Sequence, residues 1–189
     1  MALTPKAAER YTRGRLAADD PETKRIIAAE LANAQNYCGW HVSPVIANDE
    51  VIIGGPGAPV LVLPTLKLVT LESLSEDGVQ LLGESLSPGD DSDVVRVSAD
   101  GRIEKANGGM WTRSLAGITA VITHGYDSAP DFESVVLSAI DRASQVPLGG
   151  ALRAVGPFQY AETSLAPCSQ YTIAEQAILD RYRRNGTFA

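Results

Sequence analysis

Hydrophobic periodicity changes twice along this chain, and that double change constrains the fold more than any other feature. Ile27, Leu31, Ala34 and Cys38 recur at i, i+4, i+7 and i+11, which is one apolar stripe of an α-helix. Asp20 suits the N-cap ahead of it, Pro21 the first helical position, and Gly39 the stop after it. The spacing predicts a helix over about 21–38. A shorter helix is expected before it, started by Thr4-Pro5 and ended by Gly14.

From Val45 to Tyr126 the helical period is lost. Val51-Ile52-Ile53, Pro59 to Leu63, Leu66 to Leu74, Val79 to Leu82, Val94 to Ser98, Arg102 to Lys105 and Ile118 to Tyr126 read as short strands. Glu76-Asp77-Gly78 and Asp100-Gly101 are hairpin turns, because Gly accepts the positive φ required there. Gly54-Gly55-Pro56-Gly57 reads as a turn between strands; it lacks the Gly-Lys-Ser/Thr of a phosphate loop and opens no helix.

The helical period then returns. Pro130-Asp131 starts a segment in which Phe132, Val135, Val136, Ala139 and Ile140 share a face, predicting a helix over about 131–144. Residues 146–171 are rich in Gly and Pro and read as an extended arm. Thr172-Ile173-Ala174-Glu175 is a capping box for a last helix over about 172–185, with Arg181, Arg183 and Arg184 at its C-terminal end. The expected class is α+β: a helical core, an inserted antiparallel β-meander over about 45–126, and a C-terminal arm. By domain, 1–145 would be one α+β body and 146–189 the arm and its helix.

Composition narrows the function. A chain of 189 residues with 44% hydrophobic residues can bury a core without disulfides or metal. Cys38 and Cys168 form no disulfide framework and read as free thiols. The segment Met1 to Arg15 has no apolar run, so no signal peptide is expected, and no stretch approaches a membrane span. The net charge of −7 argues against a DNA reader, which needs clustered Lys and Arg against phosphates. It suits a channel through which DNA slides without sticking.

Candidate chemistry is sparse. Cys38 and His41 are near each other, but a structural zinc wants four ligands and no second cluster exists. His124 stands close to Asp127, the residues a small hydrolase would use for acid–base work; no nucleophile elbow accompanies them. Shaping the strand-to-helix corner is the plainer role. The run Pro88 to Asp93 lacks the spacing and late Glu of a calcium loop. Glu84, Asp90, Asp91 and Asp93 therefore read as a solvated acidic loop, exposed or facing a lumen. No catalytic residue, cofactor or metal site is expected. The last helix is short enough to be marginal alone, so it must dock on its own core or on a partner.

Several segments carry a family resemblance. Tyr37-Cys38-Gly39-Trp40-His41-Val42-Ser43-Pro44 follows directly on the capped helix. Leu16 to Thr23, Leu63-Pro64-Thr65-Leu66, Glu76-Asp77-Gly78, Thr123 to Asp127, Ala129-Pro130, Tyr171-Thr172 and Leu179 to Arg183 follow in matching order. Together they resemble the head-to-tail adaptor (connector) proteins of siphophages that infect actinobacteria. The resemblance implies a virion neck protein assembled in the host cytoplasm. It implies a ring, expected to be dodecameric, beneath the portal, extending the DNA channel and docking a stopper or tail protein. It further implies that Thr172, Glu175, Ile178, Leu179, Tyr182 and Arg183 engage the portal. Rival readings are a stopper or tail-terminator subunit, a hydrolase using His124 and Asp127, and a binding module unrelated to phage.

Overall fold

A computed structural model describes residues 3–90, 92–145 and 171–184. The chain divides into two compact units, with boundaries at Cys38/Gly39, Ser128/Ala129 and Arg183/Arg184. The first is helical and is built from both ends of the sequence; the second is the β-rich insertion. The α+β class and the inserted β region are as expected.

In the helical unit, α1 spans Pro5–Tyr11 and α2 spans Pro21–Cys38. Thr4 caps α1, its hydroxyl accepting from the Ala7 amide at 3.2 Å. Gly14, at φ +79, lies just past this helix, which ends at Tyr11. The Asp20 carboxylate accepts from the Glu22 amide at 2.9 Å and caps α2. The predicted stripe faces inward: Ile27, Ala34 and Cys38 are buried and Leu31 is half-buried. Helix α3, Pro130–Gln145, buries Phe132, Val135, Val136, Leu137, Ala139 and Ile140. Each of the larger side chains, Phe, Val, Leu and Ile, contributes about 1.5–3 kcal/mol on burial.

Helix α4 is shorter than the expected 172–185. It spans Ile173–Leu179 and then tightens, with Arg181, Tyr182 and Arg183 donating to the carbonyls of Ile178, Leu179 and Asp180. These i→i+3 bonds satisfy the terminal carbonyls in place of a further α-turn. Arg181, Arg183 and Arg184 thus lie in the turns after the helix rather than in its last turn.

The β unit holds seven strands in two antiparallel sheets. One has the order β1-β7-β3-β4, from Ile46–Ile53, Ile118–His124, Leu68–Glu76 and Val79–Leu82. The other has the order β2-β6-β5, from Val60–Val62, Arg102–Lys105 and Val95–Val97. Both expected hairpins form, β3–β4 and β5–β6. Asp77 at φ +49 and Gly78 at φ +79 make the two-residue turn between β3 and β4. The other pairings join strands distant in sequence, so the meander splits between two sheets.

One shared core fills this unit. It includes Leu61, Leu71, Leu74, Ile103, Trp111 and Ile122, all buried. The Trp111 indole donates to the Ile103 carbonyl at 3.3 Å. Gly54-Gly55-Pro56-Gly57 connects β1 to β2 as expected, and it does more than turn. The Gly55 and Gly57 amides donate to the Ser114 and Thr112 carbonyls at 3.0 and 2.9 Å. A Cβ on Gly55 would lie 2.1 Å from the Thr112 carbonyl oxygen, so only glycine permits this approach. Among the described residues, no helix is long and apolar enough to cross a membrane.

Candidate functional site

The C-terminal segment was expected to carry partner contacts, and its geometry sorts those residues by direction. Thr172 and Glu175 complete both arms of the capping box, at 3.3 Å (Glu175 amide to Thr172 hydroxyl) and 2.8 Å (Thr172 amide to Glu175 carboxylate). The same carboxylate takes two bonds from the Arg142 guanidinium on α3, at 2.6 and 2.9 Å. Burial works against charge on Glu175, yet Arg142 and the Thr172 amide together hold its carboxyl below the usual range. Leu179 is fully buried. Tyr182 lies edge-on to Phe132, 5.8 Å between centroids, and its hydroxyl bonds the Asp131 carboxylate. Thr172, Glu175, Leu179 and Tyr182 therefore bind α4 and its following turn to their own unit.

Tyr37 at the end of α2 completes this seam. Its hydroxyl donates to Asp180 at 2.9 Å, its ring packs edge-on to Tyr171, and the Arg183 guanidinium lies 5.6 Å from its centroid. Cys38 points the same way, with Sγ 3.7 Å from the Leu179 carbonyl oxygen. Burial pushes its thiol up to about 12, which keeps it protonated at neutral pH. Cys168 and residues 146–170 of the expected arm 146–171 lie outside the described residues. Ile178 is half-buried, while Ile173, Ala174, Ala177, Arg181 and Arg183 are exposed.

The acidic loop lies in the β unit. Glu84, Asp90 and Asp93 are exposed; Asp91 falls outside the described residues. The Asp90 carboxylate accepts from the Ser87 amide at 2.9 Å, which shapes the turn. Leu86 holds the loop to the sheet through two backbone bonds with Leu71, at 2.9 and 2.8 Å. Residues 39–128 carry 12 acidic and 5 basic side chains, which accounts for the whole chain's net −7. The net negative charge thus resides in residues 39–128, the rest of the chain being balanced in sign.

His124 is buried, but its partner is not the one the sequence suggested. Its Nε2 lies 3.1 Å from the Asp49 carboxylate on β1, whereas Asp127 is exposed and makes no hydrogen bond with it. A carboxylate only accepts, so Nε2 carries the proton. Among the described residues Nδ1 has no hydrogen-bond partner, and the His41 ring stands edge-on at 5.9 Å. Burial lowers the His124 pKa below its usual value, with Asp49 opposing. A register shift between Ile46 and Asp49, with Asn48 at φ +54, positions Asp49 for this bond. Trp40 is buried against Tyr126, 6.1 Å between centroids, closing the corner beside them. The His124–Asp49 pair fastens β1 to the end of β7. Among the described residues, no three His, Cys, Asp or Glu side chains come together as a metal site.

No family model and no curated protein matches the chain. Solved structures do match. One is a chain from the neck of an empty gene transfer agent particle computed with C6 symmetry, 15% identical, with a TM-score of 0.55 over 97% of this chain and 92% of that one. Another is a chain from the neck of the native particle computed with C12 symmetry, 16% identical, TM-score 0.54, over the same shares. A chain from the virion of the native particle matches with the same values. At this identity the likeness is one of fold, and it extends over both units.

Proposed function

We propose that this chain is a structural neck subunit of a tailed phage or phage-like particle, and within the neck the head-to-tail adaptor. The observation that carries the reading is the fold likeness to neck chains over 97% of the sequence. The ordered motifs of the adaptor resemblance, from Tyr37-Cys38-Gly39-Trp40 to Leu179-Asp180-Arg181, support the adaptor station independently.

On this reading the subunits form a closed ring, dodecameric like the C12 neck of its structural likeness, beneath the portal. Thr172, Glu175, Leu179 and Tyr182 hold the C-terminal segment in shape. Ile178 and Arg183, with exposed Ile173, meet the portal. The exposed carboxylates Glu84, Asp90 and Asp93 keep the β unit from adhering to passing DNA, since like charges repel phosphates. His124 serves the fold and not a reaction: its protonated nitrogen is committed to Asp49. The role is mechanical and needs no cofactor.

A cryo-EM reconstruction of the neck tests this directly. The expected result is a ring of this chain directly below the portal, with α4 against it. Density for this chain at the tail-proximal end of the neck would instead make it a stopper or tail terminator. Its absence from the neck would overturn the reading.

A further inference from the structure

The chain has two histidines, and they face each other. The rings of His41 and His124 stand edge-on, 5.9 Å between centroids, both in the β unit. Each holds one end of the same short segment. His41 donates from Nε2 to the Pro44 carbonyl, and His124 donates from Nε2 to the Asp49 carboxylate at 3.1 Å. Between those two anchors, Ile46, Ala47 and Asn48 are exposed and Val45 is half-buried. The segment is otherwise weakly held. Pairing of β1 with β7 runs without a break from Asp49 to Ile53, but before Asp49 only Ile46 pairs, across a register shift. The Asn48 amide reaches the Thr123 hydroxyl at a long 3.4 Å. The opposite flank of His124 is firm. Its partner on β3 is the buried Leu68, and the next amide, that of Gly125, donates to the Lys67 carbonyl at 2.8 Å.

A second proton on His124 is costly where the ring stands. Nε2 already carries one, so the added proton takes Nδ1, a buried atom with no hydrogen-bond partner among the described residues. A buried charged donor without an acceptor is worse placed than the neutral ring. The titratable groups packed around it pull in opposite directions. Asp49 on β1 favours the cation, and a charge on His41 opposes it. On β3 the facing residue Leu68 is apolar, and Glu72 is taken up by Thr70 and Thr123 at 2.6 and 3.2 Å. Asp127, beyond β7, is exposed and makes no hydrogen bond with His124. Burial outweighs Asp49 and holds the His124 pKa below its usual value.

We infer that His41, His124 and Asp49 form a proton-operated latch: protonation of His124 releases residues 44–48, at the leading end of β1, while the rest of the sheet stays closed. Release gives Nδ1 water as a partner. The open form therefore takes up the proton more readily than the closed one and gains population as pH falls. The exposed β1 side gives way because its hold is a bulge and two histidine bonds, whereas the β3 side is buried. The latch is a property of the fold and does not depend on the neck reading.

Hydrogen exchange of the full chain tests it, read by mass spectrometry at pH 7.5, 6.5 and 5.5 and corrected for the intrinsic rate at each pH. Protection of a peptide covering 44–49 should fall by about threefold or more across that range, while a β3 peptide over 68–76 keeps its protection. His124→Gln should remove the fall. Asp49→Asn keeps an acceptor for Nε2 but takes away the charge that favours the cation, so it should steepen the fall; a purely structural bond would lower protection equally at every pH. His41→Gln should make the fall shallower. Protection over 44–49 that is independent of pH, or that falls only in step with β3, overturns the latch. Should His124→Gln not fold, the wild-type and Asp49→Asn profiles decide between them, and parallel slopes overturn it.

Discussion

Arg142 on α3 holds Glu175 on α4 through two charge-assisted bonds, across 33 residues of sequence. Glu175 is at the same time the N3 residue that closes a capping box, so one carboxylate starts the helix and fastens it. Charge-assisted bonds of this kind contribute about 1.5–3 kcal/mol each way of removing them.

Glu175→Gln separates the two roles. Glutamine keeps the cap and loses the charge, so stability at neutral pH should fall by about 1–2 kcal/mol. Glu175→Ala should cost about 1 kcal/mol more, the usual worth of a cap. The folded carboxyl titrates below its ordinary 4.5, so its contribution is present above that value and is lost as pH falls through the lower folded one. Urea unfolding at a series of pH values should therefore show wild type and Glu175→Gln converging in acid. A constant gap would refute the assignment.

His124 gives a pH dependence of its own. Burial lowers its pKa from 6.5, so the unfolded chain takes up a proton before the folded chain does. The stability this group lends is complete above about 6.5 and declines as pH falls from there toward the folded value. Both tryptophans, Trp40 and Trp111, lie in the β unit, so their fluorescence reports its unfolding. The unfolding midpoint should drop between pH 7.5 and 5.5 for wild type, and His124→Gln should flatten that slope.

The adjacent glycines of the β1–β2 connection should behave oppositely. Gly55→Ala drives a Cβ into the Thr112 carbonyl and should destabilise the β unit by about 2–3 kcal/mol. A Cβ on Gly54 meets nothing nearer than 3.9 Å, so Gly54→Ala should change stability by less than about 0.5 kcal/mol. Parallel thermal melts decide it; equal effects would mean the close approach is not what the glycine serves.

These cases also mark where sequence is readable. The α2 stripe and the Asp77-Gly78 turn were legible because each depends on residues a few positions apart. The Gly55 approach was not, since its partner Thr112 is brought in only by tertiary structure. Likewise, the proximity of His124 and Asp127 in sequence suggested a pair, but a bulge in β1 delivers Asp49 instead. Pairing of β1 with β7 spans about 70 residues, and no local signal encodes it. The C-terminal helix is legible as a docking segment because it is too short to be stable alone, and the resemblance assigns its residues to the portal. Which of them face inward depended on Arg142, Phe132 and Tyr37, none of them near in sequence.

That inward–outward division makes the portal contact testable without confusing it with folding. Leu179→Asp buries an unpaired charge in the helical unit and should unfold it, costing more than about 3 kcal/mol. Loss of portal binding in that variant would say nothing about a contact. Ile173 is 80% exposed, so Ile173→Asp should leave the melting temperature nearly unchanged, and Arg183→Glu, which loses the exposed Asp180 pair and the Tyr37 contact, should lower it only slightly. If α4 meets the portal, each should weaken co-sedimentation with portal rings at least tenfold, and the double variant should abolish it. If both bind as wild type does while folding normally, this face of α4 is not the portal contact.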